Sequence, residues 1–358
     1  MSKTWNIGLL GCGKVARLHA AAIGELPNAR LAGVWSRTRT SADHFAKEFN
    51  TVSYATPGEL VTHAAIDLAI ICTPHLFHTA AALEVIEKGA HVLVEKPLAI
   101  DPFDCDRMIE AAQLKGVKLG VVSQRRWYPP AARVKAAIDA GKIGTPALGT
   151  AVMLGWRDRS YYDADEWRGT WNLEGGGVLV NQAPHQLDLL LWTIGEIDEV
   201  YGIWKNLNHP YIEVEDTALA ILRFKSGAIG NIVVSNSQKP GIHGKVHIHG
   251  SNGASVGVQT ENGAMFLPGQ SGILAPPVND LWTIPGEEHL PEAWAKEDAA
   301  LFTTIDPATY FMKLQIADFL EALETGREPA VTGHDGRKVV ELFDAIYRSQ
   351  RENRPVKL

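Results

Sequence analysis

The stretch GLLGCGKVA, residues 8–16, decides the fold. An apolar run over residues 4–10 enters Gly11-x-Gly13-x-x-Ala16, and a helical pattern begins directly behind it (KVARLHAAAIGEL, 14–26). Each small residue has its own task in such a turn. Gly11 permits the tight reversal, Gly13 lets the main chain approach a pyrophosphate, and Ala16 allows the helix to pack on the strand. The helix N-terminus then offers free N–H groups and a positive dipole end to the anion. Gly11, Gly13, Lys14 and Val15 are therefore the expected cofactor-binding residues of this turn.

Working outward, TWNIGLL (4–10), LAGVWS (31–36), DLAIICT (67–73), HVLVE (91–95) and KLGVVS (118–123) read as buried parallel strands. The segments between them, 14–26, 40–49, 78–89 and 101–116, carry helical apolar spacing. This alternation predicts an α/β fold with a Rossmann doubly wound parallel sheet, which binds ligands at the carboxyl ends of its strands. After about residue 125 the texture changes to partly alternating runs at 147–156, 200–207, 215–224, 228–237 and 245–250. These predict a C-terminal α/β domain with an open, mainly antiparallel sheet. One helix is expected over 178–195, a long loop or extension over 262–306, and two closing helices at 307–326 and 334–350. The expected domains are 1–125, binding the dinucleotide, and 126–358, for substrate and oligomerisation, with the final helix able to pack back on the first.

At 358 residues, 46% apolar and 21% charged, the chain has the size of two domains and the composition of a globular protein. Its net charge of −7 and the lack of any Lys/Arg run argue against nucleic acid. No apolar stretch reaches the ~18–20 residues of a membrane span, and the N-terminus lacks a signal-peptide layout, so a cytoplasmic protein is expected. Cys12, Cys72 and Cys105 are odd in number and widely spaced, which fits neither a disulfide framework nor a zinc site. Cys12 stands at a helix N-terminus, where a thiol pKa falls, but in a place a pyrophosphate would fill. His243, His247 and His249 alternate along one strand without an accompanying cysteine or carboxylate, and no metal is expected.

An NAD-selective site offers an acidic residue to the ribose about 20 residues after the glycines. Here the second strand ends in Ser36-Arg37, with Arg39 close behind. An arginine can clamp a 2′-phosphate, so NADP is the expected cofactor, with NAD the alternative.

The stretch HVLVEKPLAI (91–100) ends a strand pattern on Glu95-Lys96-Pro97. Lys96 at a strand's C-terminal end, partly desolvated beside a cationic ring, should have a lowered pKa and could manage the proton of a substrate hydroxyl. Together, GLLGCGKVA, CTPHLFHTAA, GAHVLVEKPLA, WRGTWNLEGGGVLVNQAPHQLDLL and GHDGRKVVELFDAIYRS resemble the glucose–fructose oxidoreductase/inositol dehydrogenase (Gfo/Idh/MocA) family over nearly the whole chain. The resemblance implies hydride transfer between nicotinamide and a hydroxyl or ketone of a sugar or cyclitol, a catalytic lysine at Lys96, and a cis peptide before Pro97. It also implies a C-terminal sheet that carries oligomer contacts, as in a homodimer or homotetramer.

The second motif places Asn181, His185 and Asp188 on one face if a helix runs from about Val180, although Pro184 sits uneasily inside a helix and points to a helix start nearby or a kink. The family pattern there is Asp, His and Asp. His185 is thus the implied proton relay, while Asn181 can orient a hydroxyl but cannot take its proton. The resemblance further sets Thr73, Pro74, His78 and Glu95 along the cofactor, and Trp167 and Arg168 near nicotinamide and substrate. Gln124, Trp156, Arg157 and Tyr162 are candidates for a pocket suited to a polyhydroxylated substrate. Two other readings stay open from sequence: a dinucleotide-sensing regulator on the same scaffold, and a cofactor-retaining glycosidase that works by oxidation and elimination.

Overall fold

The computed structural model describes residues 3–260 and 275–358, apart from the side chains of 242 and 243. The first part runs β1 (Trp5–Leu10), α1 (Lys14–Gly24), β2 (Ala29–Trp35), α2 (Arg39–Glu48), α3 (Pro57–His63), β3 (Leu68–Ile71), α4 (His78–Glu87), β4 (His91–Val94), α5 (Pro102–Lys115) and β5 (Leu119–Val121). The five strands are parallel, in the order β2-β1-β3-β4-β5. The order reverses between β1 and β3, which puts a ligand crevice at their carboxyl ends. Local signals set the helix ends. In α5 the Asp101 side chain accepts from Asp104 N at 2.9 Å, Pro102 occupies the first turn, and Gly116 closes the helix at φ 65°. Helix α3 is additional to the helices expected from the spacing, and its start is capped locally: Thr56 accepts from Glu59 N, and Glu59 accepts from Ala55 N, one residue before the cap.

The next part runs α6 (Pro129–Asp139), β6 (Pro146–Trp156), α7 (Arg159–Asp163), α8 (Trp171–Glu174), α9 (Val178–Asn181), α10 (Pro184–Ile194), β7 (Ile197–Lys205), β8 (Thr217–Phe224), β9 (Ile229–Ser235), β10 (Ser237–Gly250), β11 (Ser255–Gln259), β12 (Val278–Trp282) and α11 (Leu290–Phe302). The chain closes with α12 (Pro307–Thr325), α13 (Gly333–Glu352) and β13 (Val356–Lys357). An eight-stranded sheet has the order β12-β11-β10-β6-β9-β8-β7-β13 and is antiparallel except for the β6–β9 pair. The fold is thus α/β, a Rossmann sheet plus a second domain with an open, mainly antiparallel sheet. No helix of the described residues is long and apolar enough to cross a membrane.

Two expectations are corrected. The single helix over 178–195 is two: Gln182 and Ala183 separate α9 from α10, because Pro184 has no N–H and takes the first position of a new helix. Part of the loop expected over 262–306 is ordered as β12 and α11 (residues 261–274 lie outside the described residues). Helix α11 lacks an apolar period because it is held by Trp294 against Trp282 at 4.8 Å and by Asp298 bridging Arg133 at 2.6 and 2.9 Å. By packing, the chain divides into Met1–Gln124 with Ala308–Val340, and Arg125–Pro307 with Glu341–Leu358. Helix α12 joins the first unit because Met312, Ile316, Phe319 and Leu320 complete the core around Ile7, Leu9, Ala16 and Ile70.

Candidate active site

In the first unit the glycine turn closes against the end of β3. Gly11 has φ +101°, and a Cβ there would sit 2.5 Å from the Cys72 carbonyl oxygen, so only glycine fits. A Cβ on Gly13 would meet nothing within 4 Å, which leaves open space over the start of α1. No side chain caps that helix and its first turn holds no acidic residue, so its N–H groups are unclaimed by side chains. Thr73 Oγ1 is buried without a hydrogen-bond partner beside the same turn. An orphaned donor, an open cradle and an uncapped helix start fit a dinucleotide pyrophosphate. Gly11, Gly13, Lys14, Val15 and Thr73 would hold it, with Pro74 following. Ser36 and exposed Arg37 directly follow β2, and the Arg37 guanidinium lies 4.3 Å over the Phe77 ring. Burial pushes the Cys12 thiol up to about 11, against the lowering expected at a helix N-terminus.

Half-buried Lys96 follows β4, and the Lys96–Pro97 peptide is cis. Two buried histidines hold this turn. His19 of α1 bonds Glu95 Oε1 at 2.8 Å, and Glu95 Oε2 accepts from Lys96 N at 3.1 Å. Burial opposes the Glu95 charge, but the bond and charge of His19, with Lys96, outweigh it and hold the carboxyl below its ordinary pKa. His78, expected along the cofactor, is fully buried instead. Its Nδ1 meets Pro97 O at 2.9 Å and its Nε2 meets Thr73 O at 2.8 Å, so the ring ties the two loops together and turns no nitrogen outward. Glu95 likewise spends both oxygens inside the unit. Gln124 ends the unit with Oε1 buried and unpartnered, an acceptor suited to a ligand hydroxyl.

The second unit gathers Trp156, Arg157, Tyr161, Tyr162, Trp167, Arg168 and Asn181 around one polar network. Arg168 Nη1, Asn181 Nδ2 (3.1 Å) and Gln182 Nε2 (2.9 Å) all donate to Tyr161 OH. Arg168 also stacks over Trp167 at 4.4 Å. Trp156 and Tyr162 pack on the His209 ring at 5.1 and 5.5 Å. His209 is itself buried between Asp216 (2.7 Å) and Arg157 O (2.7 Å). His185, 9% exposed, is the second residue of α10. Asn181 lies in α9 and Asp188 in α10. Arg126 grips Asp188 with bonds of 2.9 and 2.6 Å, the two side chains each 6% exposed. Glu174, Tyr161, Gln182 and His19 escaped the sequence reading. Glu174, just before three glycines, and Gln182, beside Asn181, lie within a motif; Tyr161 and His19 do not.

Two neighbouring buried acids shift in opposite directions. Asp216 is held well below the usual range: burial opposes its charge, but His209 and the Asn208 and Leu207 N–H groups overcome this. Burial raises Glu215 to about 7, despite bonds from Leu179 N, Tyr347 OH and Gly177 N. A raised carboxyl pKa means that the folded state holds its proton longer than the unfolded chain. The stability Glu215 contributes is full below pH 4.5 and lost as pH rises to about 7. Urea unfolding across this window is expected to show the wild type losing roughly 3 kcal/mol more than Glu215→Gln.

Of the strand histidines, His247 bonds Asp280 at 3.0 Å and His249 bonds Ser255 at 2.8 Å. A carboxylate thus accompanies them, unlike the expectation from sequence, because Asp280 of β12 reaches His247 of β10 across Gly257 of the intervening β11; the His243 side chain lies outside the described residues. Among the described residues no group of three or more His, Cys, Asp or Glu is placed to hold a metal.

The switch-point cradle and the lysine turn beside it define a nicotinamide-dinucleotide oxidoreductase of Rossmann type. Residues 5–123 match the model of an oxidoreductase family with an NAD-binding Rossmann fold, and residues 131–256 match a GFO/IDH/MocA C-terminal domain. The chain is 31% identical to glucose-6-phosphate 3-dehydrogenase of Bacillus subtilis over 66% of its length and 69% of that protein. It is 27% identical to myo-inositol 2-dehydrogenase of Thermotoga maritima over 99% and 98%. The WlbA dehydrogenase of Bordetella pertussis, solved with NADH and UDP-GlcNAcA, superposes with a TM-score of 0.87 at 28% identity, covering 100% and 99% of the two chains. The chain belongs to the GFO/IDH/MocA oxidoreductase family and is an NAD(P)-dependent dehydrogenase or reductase.

Proposed function

We propose that this protein interconverts a ring hydroxyl and a ketone on a sugar, sugar derivative or cyclitol, with Lys96 and His185 in the acid–base roles. The observation that carries the reading is the Lys96 turn, held by His19–Glu95 and His78 at the same strand ends as the Gly11–Thr73 cradle. When bound, the nicotinamide supplies or accepts the hydride. Lys96 takes the hydroxyl proton during oxidation and returns it during reduction, and His185 carries it onward. Asn181 orients the substrate hydroxyl. Arg157, Trp156, Tyr162 and Gln124 supply the hydrogen bonds and flat apolar faces that a polyhydroxylated ring needs. The names of the similar dehydrogenases, which act on inositol and a sugar phosphate, support this substrate class.

NADP is the preferred cofactor in this reading, since Arg37 stands where an NAD site would set a carboxylate. Wild-type protein is expected to bind NADP roughly ten- to a hundredfold more tightly than NAD, the worth of one charge-assisted bond. Arg37→Glu should reverse the order. Titration with each dinucleotide, then nicotinamide absorbance with a panel of sugars and cyclitols, tests preference and reaction together. No reduction across a broad panel would overturn the oxidoreductase assignment to this substrate class.

The open face of the large sheet supports self-association as a homodimer or homotetramer. Tyr201 pairs with Ile221 and Ile203 with Leu219 across β7 and β8, and these four side chains are 36–68% exposed. Such a contiguous apolar face fits a second copy of the chain.

A further inference from the structure

The motif that departs from the family pattern at Asn181 has its missing charge nearby. Glu174, at the end of α8, is 2% exposed. Its Oε1 accepts from Asn181 Nδ2, and its Oε2 accepts from Gly169 N at 2.5 Å. Donors on both oxygens match the ionised carboxylate, which can only accept. Asn181 Nδ2 spends its other hydrogen on Tyr161 OH, which also receives Arg168, the residue before Gly169. The bonds therefore run in a closed circuit through Glu174, Asn181, Tyr161 and the 168–169 turn.

We propose that Glu174 is the positioning residue of this site: the pair Glu174–Asn181 carries one negative charge, placed on Glu174, and that charge fixes which way the Asn181 amide faces. A carboxylate rejects an amide oxygen, so Asn181 must turn Nδ2 toward Glu174 and Oδ1 away from it. The same carboxylate pins Gly169 N, and with it the turn carrying Trp167 and Arg168. The substitution Asn181→Asp, which would outwardly restore the family pattern, would press two carboxylates together.

The charged and titratable groups around the pair include Tyr161, Tyr162, Tyr347, Arg157 and Arg168, with Asp165 bridged to Arg168. None of these changes in a swap of charge between 174 and 181. In Glu174→Gln/Asn181→Asp the introduced amide oxygen still accepts Gly169 N, and the introduced amide nitrogen donates to the carboxylate now carried at 181.

The test is a double-mutant cycle, read first by thermal unfolding without dinucleotide or substrate and then by the pH profile of turnover. Both single variants are expected to be less stable at pH 8 and at least tenfold slower. Asn181→Asp should recover toward wild type at pH 5, where the introduced carboxyl is protonated and donates to Glu174 as the amide did, and lose stability as pH rises through that carboxyl's raised pKa. The double variant should regain most of the stability with a profile as flat as wild type. Additive losses in the double variant, or a Glu174→Gln protein with wild-type stability and pH profile, would overturn the proposal. The catalytic consequence rests on the function proposed above, but the unfolding cycle does not. Coupled stabilities in a protein inert toward every sugar and cyclitol would remove that function and leave the pair.

Discussion

Lys96→Ala is expected to lower turnover by about 10²–10⁴-fold, the usual contribution of a positioned general acid or base, with dinucleotide affinity nearly unchanged. The two effects separate because the groups that would hold the dinucleotide are mostly backbone: the Gly11–Gly13 turn, the uncapped start of α1 and the orphaned Thr73 hydroxyl. Alanine at 96 keeps the backbone N–H that donates to Glu95 and so keeps the strand end. Steady-state rates with the best substrate of the panel, beside a direct dinucleotide titration, measure the two quantities. A variant turning over near the wild-type rate would remove Lys96 from the chemistry and, with it, the mechanism proposed here.

The second large effect concerns stability. Asp188→Ala is expected to destabilise the protein by about 3–5 kcal/mol, because it strands the buried Arg126 guanidinium without its two charge-assisted bonds. Arg126 also lies 5.3 Å from the Trp192 ring, a contact too weak to replace a carboxylate. Replacing both partners with apolar residues of similar volume, Arg126→Met with Asp188→Leu, should restore most of the loss, since neither buried charge then remains. Urea unfolding of the three variants decides it. A single variant as stable as wild type would show that the pair is solvated and not structural.

The two variants divide the residues of the motifs by role. Lys96 sits in a turn that other side chains hold still, which suits a group meant to act. Asp188 is gripped through both oxygens by a buried arginine, which suits a group meant to hold. The sequence spacing treated Asn181, His185 and Asp188 alike, because i, i+4 and i+7 positions share a face only along an unbroken helix. Pro184 starts a new helix, so Asn181 stands on α9, where it meets Glu174 and Tyr161, while His185 and Asp188 stand on α10, where Asp188 meets Arg126.

What the sequence by itself determined was whatever depends on local chemistry. The Gly11–Gly13 turn, the strand–helix alternation that forms the parallel sheet, the proline after Lys96 and the absence of a carboxylate after β2 are all short-range facts. Steric limits on φ and the period of apolar residues fix such features without reference to distant parts of the chain. Only the tertiary structure decided which buried polar groups meet. Glu174 with Asn181, His19 with Glu95, His78 with Pro97 and Arg126 with Asp188 join residues that no periodicity links. The reason is desolvation: a charge removed from water must find a partner wherever folding brings one within about 3 Å, and that choice belongs to packing in three dimensions. The return of α12 to the first sheet follows the same logic for apolar surface, since Phe319 and Ile316 are buried where the core has room for them, not where the chain order would leave them.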